Sequence, residues 1–533
     1  VIVTETEAMA HSVGSLLRAQ ASAHPDRALV VAPDGSRISY REVDEASDRL
    51  ALALREQGIG AGDHVAMMLT NELPILLTWC ALAKLGAVEV PLNTSFKGMS
   101  LEYLLQHSDV SMVIVEEQYA DRFDRFAGTV PGLRSAVVVR PEVPSGGSGA
   151  ELPWPTTEFA DLVARPADEP LEIVAGPDDL LAILYTSGTT GHPKGVMESH
   201  RCAIHWGLNY RRYMAVDPDD VNLLFSPLHH AMSQFLGVMP ALLSGSAVAV
   251  VNGFSASGFW EVCRTTGATL FNFTGGVLSF LWKQPERPDD SANPVLRALG
   301  VPIPDDLYPG FESRFGLSLL PCFGTSESNV VCYSTPGEVR RGSSGRPVDE
   351  FVVDVVDDDG HPVPRGTKGE IVTRPKKPDS MMRGYYKQPE LTAKVLRDLW
   401  YHTGDMGYVD DDGYLFFVDR RKDAIRRRGE NISSFEIERV VNAHPAVLES
   451  VAVGVASEHG EEEVKLAVVP MAGADLTVHE LWDYCDRELP AFMVPRYLEL
   501  RESLPKTPTE RVMKYVIRDE GVHEGVVDRV SDR

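Results

Sequence analysis

The sequence is poor in cysteine and in positive charge. Its six cysteines (Cys80, Cys202, Cys263, Cys322, Cys332 and Cys485) are scattered over 533 residues with no C-x-x-C pair. That excludes a disulfide framework and the usual zinc frameworks, and it predicts a reducing, cytoplasmic setting. His200 and His205 flank Cys202, but no second ligand cluster accompanies them. Lys and Arg total 51 against 77 for Asp and Glu, a formal net charge of -26. The global field therefore repels polyanions and excludes general nucleic-acid binding, so any bound phosphate has to be caught by a local device. No basic-then-apolar order opens the chain, since Val1 to Arg18 carries its acidic residues early, and no secretory leader is predicted there. One uncharged run, Phe235 to Phe254, is long enough to span a bilayer, but Pro240, Ser244, Gly245 and Ser246 interrupt it. It reads as a buried helix followed by a buried strand, with no membrane span. No fixed-period repeat is present.

What remains is the balance of an ordinary globular protein, 44% hydrophobic and 24% charged with 44 Gly and 36 Pro, and a length that calls for two or more domains. Apolar β-rich runs alternate with helical patterns, the mark of α/β layers with a largely parallel sheet. Ala28 to Val31 and Arg37 to Tyr40 flank Pro33-Asp34-Gly35 and predict a hairpin. The spacing of Val43, Ala46, Leu50 and Leu54 predicts a helix from Tyr40 to Gln57, leading to a strand over His64 to Leu69. Pro141 to Pro155 reads as a surface linker between subdomains. From about residue 423 the character changes: helices are expected over Ile437 to Ala443 and Leu476 to Leu489, and strands over Val451 to Val455 and Val464 to Val469. These make a small α+β unit, with the boundary at Asp419 to Asp423.

The sharpest local feature is the apolar strand Leu181 to Tyr185 running into Thr186-Ser187-Gly188-Thr189-Thr190-Gly191-His192-Pro193-Lys194-Gly195. In such a loop, backbone amides converge on an anion where few Cβ atoms block the approach. It does not fit G-x-x-x-x-G-K-[ST], which disfavours a P-loop NTPase. The segment resembles the signature loop of the adenylate-forming superfamily of acyl-CoA synthetases, peptide-synthetase adenylation domains and luciferases. Ala83 to Asn93, Pro227-Leu-His-His230, Cys322-Phe-Gly-Thr-Ser-Glu327, Tyr401-His-Thr-Gly-Asp405 and Asp419-Arg-Arg-Lys-Asp423 resemble further family motifs in order. Arg341-Gly-Ser-Ser-Gly345, Met381-Met-Arg-Gly-Tyr385 and Arg428-Gly-Glu-Asn-Ile-Ser433 are most similar to the crotonobetaine/carnitine-CoA ligase group.

The resemblance implies an α/β fold with a large N-terminal part (1–418) of layered subdomains, a hinge (419–423) and a small mobile α+β cap (424–533). It implies an ATP- and Mg²⁺-dependent activation of a small-molecule acid as its AMP anhydride, with CoA as acceptor. Thr186, Ser187, Gly188, Thr189, Thr190, Gly191 and Lys194 would hold the β- and γ-phosphates, and Glu327 the metal. Phe323 and Gly324 would lie at adenine, Ser326 at the α-phosphate, and Asp405 and Arg420 at the ribose or phosphate. Lys422 would be the hinge, and Gly429 would face the pantetheine tunnel. The acid pocket would draw on Trp206, His229, His230, Met232, Ser233, Gln234, Phe273 to Gly276 with Gly275, Gly300 to Pro302, and Cys322. This lining suits an aromatic or functionalised acid better than a long aliphatic tail. The cluster Arg420, Arg421, Lys422, Arg426, Arg427 and Arg428 would attract phosphates.

One departure stands out. The family carries a late lysine between the carboxylate and the α-phosphate. Here Leu504 to Tyr515 places Arg511 at that position and Glu510 where Gly or Gln is usual. A planar guanidinium is not a neutral replacement for an ammonium. Arg511 or Lys514 then supplies the catalytic charge, with Lys506 also near in sequence. Alternatively, the chemistry is retuned toward nitrite activation and an aromatic amine acceptor, which a guanidinium fork would suit. A catalytically impaired ATP-binding protein and a generic phosphotransferase complete the alternatives.

Overall fold

The computed structural model describes all residues except 1, 127, 141–151, 167–170, 187–192, 275, 302, 304–306, 421, 422, 424, 428, 429, 457–461, 508, 509 and 531–533. Local rules set the elements before packing closes them. Helix Tyr40–Glu56 starts behind Ser39, whose hydroxyl accepts the Glu42 amide while the Glu42 carboxylate returns to the Ser39 amide at 2.7 Å. This reciprocal pair satisfies amides that the first turn of any helix leaves free. Val43, Leu50 and Leu54 then share one fully buried face.

Among the described residues the strands form five sheets. A nine-stranded sheet runs in the order Arg346–Pro347, Asn329–Tyr333, Ser318–Thr325, Arg297–Val301, Leu270–Thr274, Val221–Leu224, Ala247–Val250, Ala28–Val31 and Arg37–Ser39. From Ser318–Thr325 to Ala28–Val31 the pairs are parallel; at one edge Ser318–Thr325, Asn329–Tyr333 and Arg346–Pro347 pair antiparallel, and at the other the hairpin Ala28–Val31 with Arg37–Ser39 closes the sheet. A seven-stranded sheet carries His64–Met68, Val88–Pro91 and Leu180–Thr186 in parallel, ending on the antiparallel strand Lys194–Ser199. Helices Val13–Ala23, Tyr40–Glu56, Leu73–Leu85 and His200–Tyr213 join both sheets in one core through Leu17, Leu50, Trp79 and Ile204, with Val248 and Leu184 contributed by the strands. A fully buried leucine of this kind contributes about 1.5–3 kcal/mol relative to an exposed one.

The uncharged run folds as expected, into helical turns from Gln234 to Ser244 and the strand Ala247–Val250. Pro240, which has no amide to donate, comes just after the wide turn Gln234–Val238, where the Met239 amide reaches back five residues to the Gln234 carbonyl, and Gly245 closes the run at φ +70°. No described helix is long and apolar enough to cross a membrane. The tract before Pro155 differs from its reading as a linker between subdomains. It lies mostly outside the described residues, and it joins Ser135–Val139 to Thr156–Glu158, which pair in parallel within the same sheet.

A five-stranded antiparallel sheet containing Gly369–Pro375, Trp400–Val409 and Leu415–Arg420 leads to the C-terminal part. There Val447–Ala456, Glu462–Pro470, Tyr497–Leu500 and Val527–Asp528 form a four-stranded sheet. Helices Ser434–Asn442 and Val478–Glu488 cover it through Ile437, Leu481 and Trp482. The result is a large α/β part with a small α+β part.

Candidate active site

Parallel α/β sheets expose loops at the carboxyl ends of their strands, and ligands bind in the crevices between them. Leu180–Thr186 ends at the hydroxyl- and glycine-rich turn, and Ser318–Thr325 ends just before Ser326 and Glu327. Leu270–Thr274 and Arg297–Val301 end beside them in the nine-stranded sheet.

Thr186 pairs with Lys194 and Tyr185 with Gly195, so the turn is carried on an antiparallel hairpin. Ser187, Gly188, Thr189, Thr190 and Gly191 lie outside the described residues. The segment 383–386 lies along Lys194–Ser199 as an added strand: the Tyr386 amide donates to the Gly195 carbonyl at 2.8 Å and the Arg383 amide to the Met197 carbonyl at 2.9 Å. This brings the Tyr385 ring within 5.3 Å of Lys194 Nζ, a cation–π distance. The Tyr385 hydroxyl donates to Glu327 Oε1 at 2.9 Å. Tyr385 thus ties the phosphate hairpin to the metal candidate. It was quoted above only within the run that carried the group resemblance, and no sequence signal gave it this contact.

Glu327 and Ser326 are half-buried at the turn between Ser318–Thr325 and Asn329–Tyr333. Gly324 permits that hairpin to close, because a Cβ there would stand 2.5 Å from the Asn329 carbonyl oxygen. Phe323 is buried, its ring stacked 6.2 Å from Phe417. Asp405 is buried opposite Arg420 on the neighbouring strand, with Arg420 Nε 3.3 Å from its Oδ1.

The C-terminal part closes over this groove. Lys283 Nζ donates to the Val447 and Leu448 carbonyls, each at 2.5 Å. Lys506 Nζ sits 4.3 Å from the Phe280 ring, and the Glu510 carbonyl lies 3.5 Å from where a Cβ on Gly276 would be. Arg511 lies among Arg420, Asp405, Asp423 and Asp419. Its side chain keeps an exposed surface, while the protein mass of the groove and then the Arg420 charge lower its pKa to about 10. It remains a cation at neutral pH. Lys514 points elsewhere, 2.5 Å from Ser434 Oγ and 2.9 Å from Glu438. Lys506 is paired with Glu449 at 2.8 Å. Of the expected basic cluster, the side chains of Arg420 and Arg427 are described, and they lie apart in role: Arg420 pairs with Asp405. Arg427 is buried in the small part, 2.6 Å from Glu463 and donating to the Phe492 and Val494 carbonyls. Arg421, Lys422, Arg428 and Gly429 lie outside the described residues.

The residues read as an acid pocket are mostly buried. Trp206 packs its ring edge-on to Phe235 at 5.8 Å, and among the described residues its indole Nε1 has no hydrogen-bond partner. The His229 and His230 rings are 4.4 Å apart with both Nε2 atoms unpartnered. Desolvation lowers the His230 pKa to about 4 and His229 well below its usual value, so both are neutral at physiological pH. Gln234 donates to Glu89 at 3.0 Å, leaving its Oε1 unpartnered, and burial pushes the Glu89 pKa up to about 8. Ser233 is spent on the Ser226 carbonyl at 2.7 Å. Met232 is half-buried, and Phe273 and Cys322 are buried, with the Cys322 thiol pushed up to about 12 by desolvation. Gly300 is required by the adjoining strand, since its Cβ would stand 2.1 Å from the Phe273 carbonyl. Gly275 and Pro302 lie outside the described residues.

The chain matches the family model for AMP-binding enzymes over residues 17–386 and that for the AMP-binding enzyme C-terminal domain over residues 436–511. It is 32% identical over 485 residues to the crotonobetaine/carnitine–CoA ligase of Salmonella typhimurium (strain LT2), covering 90% of this chain and 92% of that protein. Among solved structures, ATP-bound MatB from Rhodopseudomonas palustris is similar with a TM-score of 0.82 at 25% identity, covering 95% of this chain and 98% of that one. The anthranilate CoA ligase AuaEII in complex with anthranoyl-AMP shares the fold, with a TM-score of 0.84 at 22% identity over 96% of this chain and 97% of that one. In its large part and in its small C-terminal part alike, the chain belongs to the AMP-binding enzyme family.

Proposed function

We propose that this protein is an AMP-forming acid–CoA ligase whose adenylation cation is Arg511. An oxygen of the acid attacks the α-phosphorus of ATP, and pyrophosphate leaves with the bond electrons. The CoA thiolate then attacks the acyl carbon, and AMP leaves. Such a reaction asks for alignment and charge neutralisation more than covalent help. The observation that carries the reading is that Arg511, from the C-terminal part, lies within electrostatic reach of the Asp405–Arg420 pair, while its backbone neighbour Glu510 places its carbonyl beside Gly276 of the large part.

In this reading the turn from Thr186 to Lys194 holds the β- and γ-phosphates, Asp405 accepts the ribose hydroxyls, and Phe323 borders the adenine. Ser326 bonds the α-phosphate. Glu327 fits a magnesium ion: its carboxylate supplies hard oxygen donors, and the Tyr385 hydroxyl orients one of them. When bound, Mg²⁺ offsets charge on the phosphate oxygens. Arg511 bridges the incoming carboxylate and the α-phosphate, since Lys506 and Lys514 are engaged within the small part. The neutral pair His229 and His230, with Trp206 and Gln234, borders a polar or aromatic acid. The small part turns about 419–423, with Lys422 as pivot, to exchange adenylation for thioester formation. Six buried free thiols suit a reducing, cytoplasmic setting.

Product analysis tests this reading. With Mg²⁺, ATP and a panel of aromatic and short functionalised acids, at least one acid should yield AMP and pyrophosphate, and CoA should convert that acid to a thioester. Arg511→Ala should slow adenylation by about 10²–10³-fold, the range for losing one preorganised donor at a developing charge. Arg511→Lys should alter that rate while AMP binding stays constant. Formation of ADP, or equal catalysis by all three proteins, would defeat the assignment.

A further inference from the structure

The hairpin that carries Thr186 and Lys194 is held at both of its roots by residues around His107, a side chain with no part in the site described above. On one strand, the Tyr185 hydroxyl shares a 2.7 Å hydrogen bond with His107 Nδ1, at the end of helix Gly98–His107. Tyr185 is also the neighbour of Thr186, which closes the described hairpin against Lys194. On the other strand, the Gly195 carbonyl accepts the Tyr386 amide at 2.8 Å. The Tyr386 ring stands edge-on to the same His107 at 5.9 Å and to His64 at 5.3 Å, and its hydroxyl donates to Asp109 at 2.7 Å. Lys387 Nζ meets that carboxylate at 2.5 Å, and Tyr103 stacks on His107 at 5.2 Å. Gly195 completes the grip. A Cβ there would lie 2.7 Å from Ile183 and 3.2 Å from the Tyr185 ring, so the two roots touch without a gap.

Thr186 and Lys194 are the described ends of this hairpin, and a ligand that meets groups already held in place loses less free energy to ordering than one that must order them itself. We propose that His107 is a positioning residue for the phosphate turn, holding Tyr185 directly and Gly195 through Tyr386. The inference rests on the reading that residues 186–194 bind the β- and γ-phosphates. Those phosphates leave as pyrophosphate in the first half-reaction, so the grip matters for ATP and not for AMP. A purely structural role for His107 has no reason to separate the two nucleotides.

Calorimetric titration of Mg²⁺-ATP and, separately, of AMP into the full-length protein tests this. Tyr185→Phe and His107→Leu should each raise the Kd for ATP about three- to tenfold, the net worth of one hydrogen bond, and leave the Kd for AMP unchanged. His107→Asn, whose side-chain amide reaches the position of Nδ1, should restore most of the ATP affinity. Unchanged ATP binding in Tyr185→Phe, or equal weakening of ATP and AMP, would overturn the proposal. A wild-type protein that binds neither nucleotide would overturn the functional reading itself, and this inference with it.

Discussion

Glu510 adopts φ +60°, a left-handed backbone that glycine enters freely and a residue with a Cβ does not. The strain sits one residue before Arg511, in a short turn where the Thr507 amide donates to the Arg511 carbonyl at 2.8 Å and Lys506 bridges to Val512. Replacing Glu510 with glycine should stabilise the protein by about 0.5–1 kcal/mol, the half-buried Lys506–Glu510 pair contributing little because Lys506 keeps its shorter bond to Glu449. Urea denaturation followed by tryptophan fluorescence measures it, and a destabilised Glu510→Gly protein would show that the pair outweighs the strain. The motif reads Gly or Gln at this position, and the backbone angle supplies a physical reason for the Gly. Which nearby cation faces the groove was not legible. Lys506, Arg511 and Lys514 lie within nine residues. The choice depends on Glu449, Ser434 and Glu438, which no local pattern connects to them.

Elements with strong local signals were readable. The hairpin about Pro33-Asp34-Gly35 and the helix Tyr40–Glu56 carry their turn chemistry and periodicity within a few residues. The helix Ser434–Asn442 begins earlier than the expected Ile437, because Ser433 caps it and Asp419 docks at its first turn, 2.8 Å from Ser434 Oγ. Contacts between elements were not readable. Tyr386 and Asp109, or Lys283 and Val447, meet only through the tertiary fold. Lys283 extends from just beyond helix Gly276–Trp282 and donates to two carbonyls of the small part, holding it over the groove. Lys283→Ala should therefore depopulate this arrangement and slow acid-dependent pyrophosphate release about tenfold, while thiolysis of a preformed acyl-adenylate keeps its rate. Separate assays of the two half-reactions decide it, and equal loss in both would mean that Lys283 does not select the adenylation arrangement.

Across the whole molecule, a chain of charge -26 brings three cations to the region where a triphosphate is proposed to enter: Lys194 beside the Tyr385 ring, and Arg420 and Arg511 among Asp405, Asp419 and Asp423. Those residues come from three distant stretches of sequence, and the fold assembles them by stacking two mostly parallel sheets and closing a small α+β part over their loops. The proposed chemistry turns on attack of an acid oxygen at the α-phosphorus. Isotope transfer tests it most directly. With an acid labelled by ¹⁸O in both carboxylate positions, together with ATP, Mg²⁺ and CoA, the bridging oxygen stays with phosphorus when the thiolate displaces AMP. Mass spectrometry should therefore find AMP carrying one ¹⁸O. Unlabelled AMP, or label recovered in inorganic phosphate alongside ADP, would contradict it.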